Sequence, residues 1–428
     1  MNQWPNESMA PGLSRPGLSN TVAAMAHVRR ASGVRGWFTL SMTALALTAL
    51  CGCGGSTVKV LYAVGTGSPN VTIFTVSSSG ALAVKSDSVS TGSTPLAIAV
   101  DPRLRFAYVV DSGGGIDPGG VSQYTVNAGT GALALATLPA TGGTTSPSTP
   151  IETGIGPVAI AIDSTGAFVF VANTGVIPPK PACNPDPRVC DASLAAYTID
   201  STGGALTEVK QLQPPCTPKQ PTPCPLPLPT AAVPSALAST GSMLFVAMTS
   251  AGAGSVATYT FDSTGIVKDP PASTVAAGTN PSAMAMDSSG KFLFVADAST
   301  NKVAAFSIGS SGQLTAVGSP VDTGTTPVSV RVHPNGKFLY TANQGSNDVS
   351  AFSLSSGALT KLSDTPVAPG TGPSYVTTDA SGSLLFVANR DSNNISVFSI
   401  DSSGALKAVS GSPFPSVVIH PVALASLN

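Results

Sequence analysis

The chain has 428 residues, including 44 Gly and 37 Pro; 42% are hydrophobic, only 10% are charged, and the net charge is −1. That much apolar material excludes general disorder, and the absence of clustered Lys and Arg excludes the electrostatic footprint of a nucleic-acid binder. Short apolar runs punctuated by Gly, Pro, Asn and Ser predict many short strands joined by turns.

In chain order, the first feature is a basic stretch, HVRRASGVRG, followed by the apolar segment at residues 37–50. The apolar run is too short to span a bilayer comfortably and has the layout of a secretory signal. Residues 1–52 are therefore expected to be a signal peptide, with Met25 a candidate for the true start. Leu50-Cys51-Gly52-Cys53 resembles the bacterial lipobox, which implies that Cys53 becomes the lipidated first residue. Residues 53–57 would then be the anchored terminus and a short linker, touching the membrane only through the lipid. Gly54 rather than Asp after Cys53 favours the outer membrane, so the expected location is extracytoplasmic.

Residues 58–428 carry an internal repeat. A Pro opening an apolar run recurs at Pro95, Pro157, Pro234, Pro281, Pro327, Pro373 and Pro421, and Pro327 and Pro373 lie 46 residues apart. Each unit reads as four short antiparallel strands. The third strand carries an aromatic in all seven units (Phe74, Tyr124, Tyr197, Tyr259, Phe306, Phe352, Phe398). A Gly opens the fourth in each (Gly80, Gly131, Gly204, Gly265, Gly312, Gly357, Gly404). The aromatics are expected between neighbouring sheets and the glycines at positive φ in hairpin turns. A four-stranded sheet apolar on both faces must bury both, and radial stacking at this period predicts an all-β, seven-bladed β-propeller. The mature chain begins on a second strand and ends on a first one, so the C-terminal strand should complete the N-terminal blade and close the ring.

Two insertions interrupt the third unit, at about 176–192 and 213–230. Their cysteines are expected to pair locally, Cys183 with Cys190 and Cys216 with Cys224, because export favours oxidation and Pro-rich segments without a nearby His suit zinc poorly. Both loops are expected on the rim where the second strands end.

The segments PVSVRVHPNGKFLYTAN (327–343) and PSYVTTDASGSLLFVAN (373–389) resemble the repeats of lactonase-type seven-bladed propellers related to 6-phosphogluconolactonase, and of YVTN-repeat propellers, across residues 58–428. The resemblance implies an Arg-His pair directly after the repeat's Pro and a Glu directly after the Asn of the second strand, a set suited to activating water against a lactone carbonyl. This chain has Val328-Ser329, Ser374-Tyr375 and Ser282-Ala283 at the first position, and Gln344 and Arg390 at the second. Gln cannot accept a proton at neutral pH, so no catalytic residue can be assigned, and no metal or cofactor is implied. A sugar-lactone hydrolase is the alternative reading.

Asp111, Asn173, Asp297, Asn343 and Asn389 end second strands, where side-chain bonds to backbone amides would start the next turn. The candidate ligand rim comprises Asn173, Asp297, Asn343, Gln344, Asn389, Arg390 and Asp391; Arg331, an Arg among apolar strand positions, needs a partner or a solvated channel. His333 and His420 are expected as turn residues on the opposite rim. Expected partners are a carbohydrate-derived ligand or an envelope protein, bound by a monomer.

Overall fold

A computed structural model describes residues 59–85, 88–113, 118–137, 150–175, 191–210, 226–229, 231–362 and 367–427. The signal segment, Cys53, the four insertion cysteines and most of both insertions lie outside these residues.

Blade 5 shows how the repeat folds. Its inner strand is Pro327–Val332, its second Phe338–Asn343, its third Asp348–Ser355 and its outer one Ala358–Lys361, each antiparallel to the next. Seven such sheets form, and their inner strands touch in one closed order, from the strand at 95–100 round to the strand at 421–427 and back. Blades 1 to 6 begin at Pro95, Pro157, Ala232, Pro281, Pro327 and Pro373. Blade 7 joins the two ends of the chain, since Pro421–Leu427 pairs with Val60–Gly65 from Val60↔Leu427 to Gly65↔Pro421. The expected fold and its closure are therefore observed. One refinement concerns the outer position, which in five blades is split into two short strands that both pair with the third, as at 314–316 and 321–322. Gly318 at φ 68° and the following Ser-Pro break the ladder there, since Pro cannot donate to it.

Seven buried clusters fill the seven interfaces between blades, and each holds one third-strand aromatic facing the preceding blade. All seven are at most 4% exposed. Each fourth-strand Gly has positive φ and lies against the first residue of the preceding blade's second strand, for example Gly404 against Phe338. Its carbonyl is used as well: the buried hydroxyls of Tyr62, Tyr108 and Tyr340 donate to Gly131, Gly204 and Gly404 at 2.8, 2.8 and 3.0 Å. Burial pushes all three phenols well above the ordinary tyrosine range, so they remain donors at any physiological pH.

Candidate functional site

Each inner strand starts where the second strand ends, as in the pairs Pro327↔Asn343 and Pro373↔Asn389. The repeat's Pro and the Asn series therefore share one rim of the ring. Around the channel wall on that rim, serines next to the Pro link successive blades. Ser235 Oγ donates to the Pro281 carbonyl, Ser282 Oγ to Pro327 and Ser374 Oγ to Pro421, at 2.5, 2.6 and 2.7 Å. Ser329 Oγ accepts the Val376 amide at 3.1 Å. These hydroxyls occupy the segment where the family resemblance implies an Arg-His pair, and each is committed to joining blades.

The Asn and Asp series divides in two. Asp297 accepts the amides of Thr279, Ser299 and Thr300, the turn-forming role expected for the whole series. Asn343 instead donates to Asp348 and Ser350, and Asn389 to Asn394 and Ser396, across to the third strand. Asn173 likewise meets Ser193 and Thr153. The third strand accounts for the difference. Opposite the amides it offers the acceptors Ser193, Asp348 and Asn394, while Asp297 stands opposite Lys302 and takes backbone donors instead. Asn173, Asp297, Asn343 and Asn389 are all buried, so they shape the rim from beneath and do not present side chains on it.

The residues that follow them are accessible. Gln344 is half-buried, Arg390 and Asp391 are exposed, and their backbone amides bond to Thr326, Gly372 and Thr371. A second Asn series escaped the sequence reading. Asn301, Asn347 and Asn393 sit at φ 59°, 56° and 50°, and their side-chain oxygens accept the amides of Thr326, Gly372 and His420 in the next blade, each at 2.7 Å. Asn is among the few residues that tolerate this conformation. The 46-residue spacing of the three is the signal that could have revealed them.

Three other placements correct or sharpen the sequence reading. Arg331 is not on this rim: it lies four residues into its strand, roughly 13 Å from Pro327 at about 3.3 Å per residue, towards the opposite mouth. His333 is on that opposite rim as expected, where Nδ1 accepts the Asn335 amide and Nε2 donates to the Gly382 carbonyl at 2.8 Å. A carboxylate, which stands at this position in blades 1, 2, 4 and 6, could not make the second bond. His420 precedes a repeat Pro rather than following an inner strand, so it lies on the Asn rim, exposed and at φ 52°.

Asp111 has a perturbed charge. It is 2% exposed, takes a 2.6 Å bond from Ser122 Oγ on one oxygen, and its other oxygen has no partner among the described residues. Burial pushes its pKa up to about 6, only partly offset by the Ser122 bond. A folded-state pKa above the unfolded value means the native state holds its proton longer, so stability falls as pH rises from about 4 to about 6 and stays lower above that. Asp111→Asn, the residue used by blades 2, 5 and 6, is expected to be stabilised at pH 7.5 relative to the parent by up to roughly 3 kcal/mol and to lose this pH slope. Urea unfolding at pH 4.5 and 7.5 checks it.

The fold and rim together define a seven-bladed propeller whose channel mouth is framed by inter-blade serine bonds. The family model described as lactonase, 7-bladed beta-propeller, matches residues 242–375 and 323–419. The chain is similar to that family over this part of its length, and its fold is a seven-bladed propeller. Similar solved structures include a putative 6-phosphogluconolactonase from Bacteroides fragilis, 18% identical over 88% of this chain and 99% of that one, with a TM-score of 0.65. Another is the periplasmic gluconolactonase of Pseudomonas aeruginosa, 19% identical over 87% and 99%, also at 0.65. Hydrazine synthase of Kuenenia stuttgartiensis shares the ring more distantly, at 16% identity over 79% and 94% with a TM-score of 0.51. No curated protein matches.

Proposed function

We propose that the protein is a lipid-anchored, extracytoplasmic propeller that binds a carbohydrate-derived ligand or an envelope protein at the Asn rim, and that it does not hydrolyse lactones. The observation that carries this reading is the use of the Pro-adjacent positions. Ser282, Ser374 and Ser329 spend their hydroxyls on inter-blade bonds, and the position that would hold a general base is Gln344 in blade 5 and Arg390 in blade 6. The exposed Arg390 and Asp391 leave polar groups free for a ligand. A periplasmic neighbour of the same fold supports an extracytoplasmic setting. Fold alone assigns no chemistry.

The expected result in a pH-stat assay over a panel of sugar lactones is no turnover above buffer. Gln344→Glu is expected to stay silent too, because the Arg-His pair is missing as well. Robust turnover by the unmodified protein, abolished by substitutions at Gln344 or Arg390, would overturn the reading in favour of a lactone hydrolase.

A further inference from the structure

Counted from the repeat's Pro, the third and fifth residues of the inner strand are both Ala in blades 1, 2, 3, 4 and 7, as in Ala97 and Ala99. Only two adjacent blades differ. Blade 5 has Ser329 and Arg331, and blade 6 has Tyr375 and Thr377. Small side chains around most of the wall leave room along the axis, and the large polar ones come from one side.

Arg331 is exposed to solvent although it lies on an inner strand packed between its neighbours, which is the environment of a water-filled channel. Its Nε reaches Thr378 Oγ1 at 3.4 Å, a weak bond, and its terminal nitrogens have no partner among the described residues. Asp379, the residue after Thr378, is already occupied by Lys59 at 3.1 Å and by Ser381 and Ser383. Tyr375 packs against the clusters on both sides of blade 7's inner strand, so its ring lies across the channel face of that strand. Enclosure lowers the Arg331 pKa below the ordinary guanidinium range. Enclosure also raises the Tyr375 phenol, partly countered by the Arg331 charge, so the two groups sense each other. The guanidinium stays charged at neutral pH and has no carboxylate paired with it among the described residues.

We propose that the channel contains a binding site for a small monocarboxylate, held by the Arg331 guanidinium with the Tyr375 hydroxyl as a second donor. One guanidinium matches one carboxylate in charge and in its two-pronged hydrogen bonding. A phosphate dianion would require more positive charge than this wall supplies. The site rests on the binding role proposed above and adds a ligand class to it. It differs from the family-implied site in position, lying below the Pro rim.

The test is calorimetric titration of the full chain with lactate, gluconate and inorganic phosphate at low salt, repeated on Arg331→Gln, Arg331→Lys and, as a control at an exposed turn arginine, Arg103→Ala. A monocarboxylate is expected to bind the parent and Arg103→Ala alike, to bind Arg331→Gln at least tenfold more weakly, and to bind Arg331→Lys with intermediate strength. The Tyr375 phenolate is expected to appear at higher pH in Arg331→Gln, which checks that the two groups share the site. Equal carboxylate affinity in parent and Arg331→Gln, no binding of any monocarboxylate by the parent, or tighter binding of phosphate would each overturn the site. Lactone turnover found in the separate pH-stat assay would remove the non-catalytic reading and leave this result standing.

Discussion

Removing residues 421–428 is expected to abolish stable folding. The deletion takes away the inner strand of blade 7, and with it the buried Ala423, Leu424 and Leu427. It also bares Val60, Leu61, Tyr62, Ala63 and Val64, all of which are 0% exposed in the closed ring. At about 1.5–3 kcal/mol for each large side chain, the loss is on the order of 10 kcal/mol, comparable with the whole stability of a typical domain. The ties from Ser374 to Pro421 and from Ser426 to Thr378 go as well. The bared strand Val60–Gly65 becomes an open, apolar edge suited to pairing with another chain. Thermal unfolding followed by circular dichroism, with size-exclusion chromatography, should show a lost cooperative transition and aggregation.

The second large effect is expected from Gly204→Ala. Gly204 has φ 74°, and a Cβ there would lie 2.3 Å from Cδ1 of Phe106, while its carbonyl accepts the Tyr108 hydroxyl. The left-handed backbone costs a side chain about 1–2 kcal/mol and the overpacking about 1–3 kcal/mol more, so a total of roughly 2–5 kcal/mol is expected. Gly336→Ala is the control. Its φ is 70°, but nothing lies within 4 Å of the added carbon, so only the backbone cost of about 1–2 kcal/mol should appear. Denaturant midpoints of the two variants should separate accordingly.

The ring was legible in the sequence because its determinants repeat. A buried third-strand aromatic and a positive-φ glycine recur once per blade, and each obeys a local rule that needs no knowledge of the neighbours. The site was less legible because its determinants are relations between blades. Asn343 finds its acceptors in Asp348 and Ser350 of the third strand, while Asp297 stands opposite Lys302. Arg331 could be read as needing a channel or a partner, but its depth follows only from the register of the inner strand. His420 was misplaced because a His-Pro pair occurs at both ends of the repeat, and only the pairing of Pro421 with Gly65 puts it on the Asn rim. The serine bonds linking the blades have no sequence signature beyond a Ser after the Pro.

Native-state amide exchange on the intact chain tests ring closure most directly. The amides of residues 60–65 and 422–427 should exchange as slowly as those of the second strand at 338–343, through global unfolding only. Exchange of the 422–427 amides at rates typical of a fraying terminus, with 338–343 still protected, would mean that the two ends of the chain do not complete one blade.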